Sequence, residues 1–135
     1  MDRIEPSAAR AAVTRALEAG TSPGGLPAAL LHQRGTLKVY FYRPRGLDRQ
    51  TPHEQDEVYI VLRGSGIFML GDGQAAPART AFGPGDLLFA PAGAPHRFED
   101  FTDDFETWVI MYGPEGGEGA GPPEAPGVSS PRAPS

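Results

Sequence analysis

Few residues in this chain can do metal or acid–base chemistry. It has no cysteine and three histidines, His32, His53 and His96. Two of them stand where donor side chains can converge. His53 lies just before a strongly apolar run that Glu57 opens, and a short turn between them lets both face one interior. His96 opens a later strand, directly after Pro91-Ala92-Gly93-Ala94-Pro95. Two neutral imidazoles and one carboxylate form a donor set for one divalent metal ion. That set suits Fe(II) and leaves open positions for substrate and oxygen; Mn, Ni or Zn are also tolerated. The absence of cysteine excludes thiolate ligands, disulfides and a cysteine nucleophile.

The elements that must position these donors are short strands. From Thr36 to Tyr112 apolar runs alternate with Gly/Pro turns, and the pattern predicts strands at Leu37–Arg43, Val58–Arg63, Gly66–Leu70, Arg79–Phe82, Asp86–Ala90, His96–Phe101 and Glu106–Tyr112. Many short strands with regular turn signals favour an all-β sandwich or barrel, in which inward-facing residues of neighbouring strands meet. The two-residue period puts Glu57, Tyr59, Val61 and Arg63 on one side. Tyr59 is thus placed to hydrogen-bond a ligand or to fill the barrel. Phe98, like Trp108, reads as core that can also line a pocket.

Three strands are apolar on both faces: Val58–Leu62, Ile67–Leu70 and Trp108–Met111. Half-exposed antiparallel strands alternate with polar residues, so these outer faces need a cover. A helix, a second sheet or another subunit can supply it, and a homodimer is expected. One amphipathic helix is expected at Pro6–Ala19, with Gly20 at its C-cap, followed by the breaker cluster Thr21-Ser22-Pro23-Gly24-Gly25. After Gly113 the chain turns to Pro, Gly, Glu, Ser and Ala, which reads as a disordered tail. The expected organisation is a helix and linker over 1–25, a β-barrel over 26–113 and a Pro/Gly-rich tail over 114–135.

At 135 residues there is room for one domain. The net charge of -5 and the scattered arginines argue against a nucleic-acid partner. The first twenty residues are too charged for a secretory signal, and no run approaches a membrane span. A cytoplasmic protein is expected.

The segment Gly85-x5-Pro91-x-Gly93-x2-His96-x3-Asp100 resembles the second motif of the cupin superfamily, with Asp100 where the family usually has asparagine. Glu57-x6-Gly64 resembles the second half of the first cupin motif, and His53 then takes the place of the second histidine of that motif's His-x-His pair. The first histidine of the pair is replaced by Thr51, and the glycine that usually opens the motif is displaced by one residue, at Gly46. The likeness runs from Leu37 to Tyr112, in particular to short single-domain cupins of the conserved-barrel type.

This resemblance implies a double-stranded β-helix, the jelly-roll barrel, behind one N-terminal α-helix. It also implies a metal held by His53, Glu57 and His96 rather than by the usual four ligands. Thr51 is a poor ligand that can position a bound water, and Gln55 can offer an amide oxygen if the strand is regular through it. The expected function is a metal-dependent enzyme on a small molecule, dioxygenase-like or else an isomerase or lyase. The alternative is a non-catalytic sensor or carrier, with or without metal. Fold alone does not choose between these, because function belongs to the site.

Overall fold

A computed structural model describes residues 3–72 and 76–119. Helix α1 (Pro6–Ala19) and a 3-10 turn (Pro23–Gly25) precede eight strands: β1 (Ala28–Arg34), β2 (Leu37–Tyr42), β3 (Asp56–Arg63), β4 (Gly66–Leu70), β5 (Ala78–Phe82), β6 (Leu87–Ala90), β7 (His96–Glu99) and β8 (Glu106–Tyr112). Among the described residues they form two antiparallel sheets, β1-β2-β8-β3-β6 and β5-β4-β7. The sheets are not closed by hydrogen bonds, and face each other as a jelly-roll does. An aromatic core fills the space between them: Tyr59 from the larger sheet meets Phe68 and Phe98 from the smaller, with Phe82 and Phe105 beside them.

The expected helix forms with the boundaries its periodicity predicts. Pro6 suits the first helical position, where an N–H is not needed. Gly20 ends the helix at φ 71, with the Thr21 N–H bonded to the Ala16 carbonyl. The β-region differs in one element. The first strand expected from the sequence begins at Leu37, whereas Ala28–Arg34, with His32 in it, is a strand paired with β2 through the turn at Gly35-Thr36. Its Ala-Ala-Leu-Leu run lacks alternation, and a register shift between Leu30 and His32 breaks the period further. The strand expected over His96–Phe101 ends at Glu99, where Asp100 turns the chain with φ 50. Of the expected tail, residues 114–119 are described. Gly116 N–H bonds the Glu54 carbonyl and Glu118 N–H bonds Asp56 Oδ2. Residues 73–75 and 120–135 lie outside the described residues, and with them most of the expected tail.

Alternation sorts the larger sheet cleanly. Lys38, Tyr40 and Tyr42 of β2, Val109 and Met111 of β8, and Glu57, Tyr59 and Val61 of β3 face inward. Outside, α1 covers one end: Ala9 and Val13 pack on Ala29 and Phe41, with Leu31, Leu62 and Trp108 around them. Beyond the helix, Val39, Ile110, Val58 and Phe89 form one cross-strand row, and Ile60 and Leu87 continue the row of Phe41 and Trp108. Leu87 is 63% exposed and Ile60 37%. The apolar outer face that the sequence pattern required is therefore covered by helix at one end only.

A buried carboxylate latches α1 to the barrel. Glu106 opens β8 with 1% of its side chain exposed, and it accepts both Nε and Nη2 of Arg10. Arg43 Nε lies 3.1 Å away and Arg63 Nε 3.8 Å away. Burial alone would raise the Glu106 pKa. The Arg10 hydrogen bonds and the charges of Arg10, Arg43 and Arg63 outweigh burial and hold it below the ordinary value of 4.5. The latch is thus complete above that value and is lost as pH falls through the lower folded-state pKa. Glu106→Gln should cost about 2 kcal/mol at neutral pH. It should also flatten the acid limb of the stability curve, as read by thermal unfolding at stepped pH. An unchanged melting curve at neutral pH would refute the latch.

Candidate metal centre

Glu57 sits one residue into β3, its Cα flanked by Met111 of β8 and Ala90 of β6. This central position carries its side chain inward and leaves it 1% exposed. His96 starts β7 on the opposite sheet and is equally buried. His53 comes from the loop before β3, which is tied down by the Gly93 N–H bonding the His53 carbonyl at 2.7 Å. One donor atom from each of the three residues falls within 4.8 Å of the others. The three residues singled out in the sequence are brought together from two sheets and a loop.

The tautomer follows from the hydrogen bonds. His96 Nδ1 lies 2.8 Å from the Ala94 carbonyl, an acceptor, so Nδ1 carries the proton. In the neutral ring Nε2 then presents a lone pair. It points toward Glu57 Oε1 at 3.1 Å, and neither buried atom has a hydrogen-bond partner among the described residues. His53 Nε2 lies 3.6 Å from the other oxygen, Oε2, and its side chain is 27% exposed toward the cavity. Lone pairs converging in a buried place repel unless a cation sits among them. A metal ion satisfies all three donors, so the residues present fit one. Without metal the cation is a proton. Burial opposes charging the His96 ring, but the Glu57 carboxylate, the Ala94 carbonyl and Asp48 outweigh it and raise the pKa above 6.5.

Two polar residues that motif spacing does not signal support this cluster. Asp48 is buried and accepts four hydrogen bonds, from the Tyr42 hydroxyl, the Gln50 backbone and side-chain amides and the Phe98 N–H. The Gln50 Oε1 so oriented lies 2.9 Å from the Tyr59 hydroxyl, which is also 2.9 Å from Glu57 Oε2. Burial, then the Glu57 charge, pushes the Tyr59 phenol well above its ordinary value near 10, so it remains an O–H donor. A second-sphere donor of this kind orients a ligating carboxylate. Nothing in the sequence distinguishes Asp48 from an ordinary loop aspartate; its role depends on burial.

The other pocket candidates separate. Thr51 lines the cavity mouth beside His53 and is exposed. Gln55 precedes the first strand residue of β3, and its Nε2 donates to the carbonyls of Thr36 and Gly113, bracing the mouth. Tyr59 lies beneath Glu57 and supports it. Phe98 packs in the aromatic core, 1% exposed with its ring 4.9 Å from that of Tyr59, and stands apart from the wall of this cavity. The inward side of β7 at that point is closed off by Tyr59 of the larger sheet. Arg63 turns to Glu106 rather than to the interior, because a register shift after Val61 rotates the end of β3. The cavity itself holds roughly 910 Å³ and opens between β2, the 49–55 loop and the end of β8.

A jelly-roll with a His/His/Glu cluster at its cavity, able to hold one metal ion, is the class of protein that this geometry defines. Residues 39–111 match the cupin domain family, and the chain belongs to the cupin superfamily. An uncharacterized protein of Streptomyces coelicolor is 35% identical over 68 residues, 50% of this chain and 60% of that one. An acireductone dioxygenase of Leishmania infantum is 40% identical over 60 residues, 44% of this chain but 17% of that enzyme. The chain thus spans 60% or less of the length of these two curated relatives. A cupin 2 conserved barrel domain protein of Salinispora arenicola superposes with a TM-score of 0.54 at 21% identity, over 67% of this chain and 78% of that one. The DMSP lyase DddQ of Ruegeria pomeroyi gives a TM-score of 0.51 at 27% identity, over 64% of this chain and 46% of that one.

The lone-pair geometry sets an expectation for metal-free protein. The His96 ring should titrate above 6.5 with its proton on Nδ1 in the neutral form, read from imidazole nitrogen shifts by NMR. In Glu57→Gln, burial is no longer opposed by the Glu57 hydrogen bond and charge, and the pKa should fall. Because the folded value is raised, the pair's stabilisation is complete below about pH 6.5 and is lost as pH rises through the folded pKa. A titration unmoved by Glu57→Gln would show that the two side chains are not coupled.

Proposed function

We propose that this protein is a metal-dependent cupin enzyme acting on a small organic molecule in its cavity, with dioxygenase chemistry as the leading reading. The facing, unpartnered atoms His96 Nε2 and Glu57 Oε1, with His53 on the cavity side, carry this reading. His53, Glu57 and His96 would hold the ion. Two histidines and a carboxylate favour Fe(II), with Mn, Ni or Zn also accommodated. When bound, such a metal supplies Lewis acidity and positions for substrate and oxygen next to each other.

The chain's own residues do the rest. Tyr59 keeps a proton on its hydroxyl and orients Glu57 Oε2, while Asp48 holds Gln50 against that hydroxyl. The aromatic core closes the floor, so a ligand reaches the cluster only from the cavity side. The partial match to acireductone dioxygenases supports oxygen chemistry. The likeness to a DMSP lyase favours a second reading, an elimination in which no oxygen is consumed.

Purified protein should carry about one metal ion per chain by elemental analysis. His96→Ala or Glu57→Ala should abolish it. Protein that stays metal-free after incubation with Fe, Mn, Ni or Zn would overturn the proposal. With the iron-loaded form and a substrate panel, oxygen uptake supports the dioxygenase, and substrate loss without oxygen uptake supports the lyase.

The outer rows of Val39, Ile110, Val58 and Phe89, and of Ile60 and Leu87, suit a second copy of this chain. Light scattering should give twice the chain mass, and Ile60→Glu with Leu87→Glu should give the monomer with the metal content unchanged. A monomeric wild-type protein would rule the dimer out.

A further inference from the structure

Lys38 is the single lysine of the chain. It lies on the inward face of β2, lines the cavity and is half-buried. Its ammonium makes no hydrogen bond or ion pair among the described residues. That is an unusual place for an unpaired ammonium, since lysines are mostly exposed or paired. The register explains what it faces. Lys38 is directly opposite Met111, which is directly opposite Glu57, so the three stand in one inward row across β2, β8 and β3. Two strand spacings separate the Lys38 and Glu57 backbones by about 10 Å. From opposite ends of this row, a flexible ammonium and the His/Glu cluster face the same cavity.

The other charges at the cavity do not neutralise Lys38. Glu54, Glu115 and the second cation Arg49 are exposed at the rim, where solvent and salt screen them, and Glu57 belongs to the cluster. Tyr40, two residues along the same face, adds a phenol to the cavity wall in the neighbouring row.

We propose that the cavity is built for a small bifunctional anion, one end at the His53/Glu57/His96 cluster and a distal carboxylate on the Lys38 ammonium. This deepens the proposed function and rests on its metal centre. Lys38 is then the residue that selects ligands by the charge and length of their far end.

The test is calorimetric titration of the Mn(II)-loaded protein with succinate and glutarate against the monocarboxylate butyrate. In the wild type, the better of the two dicarboxylates should bind at least about tenfold more tightly than butyrate, the difference expected of one charge-assisted hydrogen bond. Lys38→Met should erase that preference while leaving butyrate affinity and metal content unchanged, and Lys38→Arg should retain most of it. Equal binding of dicarboxylates and butyrate by the wild type, or a preference that survives Lys38→Met, would overturn the inference and leave the metal centre standing. Failure to load metal would overturn both.

Discussion

The structure is organised around a carboxylate buried where no permanent cation reaches it. Glu57 lies in the centre of the larger sheet, nearly sealed from solvent, and among the described residues two histidines are the only basic groups against it. An isolated buried carboxylate is expensive, and proteins pair it, protonate it or give it a metal. Here one carboxylate oxygen meets the Tyr59 hydroxyl and the other meets an imidazole nitrogen whose ring has already given its proton to a carbonyl. The arrangement leaves room for one positive charge that can come and go.

Glu106 shows the contrast. It is buried to the same degree, yet Arg10 and Arg43 stand directly against it and Arg63 close by. Guanidinium is charged at any working pH and matches the carboxylate fork, so this site is permanently neutralised and acts as a fastener. Imidazole instead offers a lone pair or a proton, whichever the surroundings favour. One fold therefore contains two buried glutamates, and their partners make one structural and the other suited to chemistry.

The support for Glu57 comes from elements distant in sequence. Asp48 ties β2, the 49–55 loop and β7 together through Tyr42, Gln50 and Phe98, and the Gly93 N–H fixes the loop that carries His53. The outward half of the same strands is apolar and only partly covered by α1. Inside and outside are coupled by the two-residue period, so a slip of one register step would expose the cluster and bury Ile60 and Leu87.

Much of this was legible in the sequence, for local reasons. The helix, its glycine cap and most strands follow from periodicity and turn residues. Motif spacing also reflects backbone geometry: Gly64 has φ 85, and a Cβ there would lie 2.6 Å from the Phe105 Cα, so no other residue fits. Asp100 adopts φ 50, which the asparagine usual at that motif position tolerates for the same reason. The types and spacing of His53, Glu57 and His96 determined which donors exist and that β3 and β7 must carry two of them. What only the tertiary structure decided is how those atoms face one another, and which other residues reach them. β1 escaped because its alternation is broken, and Asp48 and Lys38 because their roles come from cross-strand register and burial. Those are relations between distant segments, set when the two sheets close on one core.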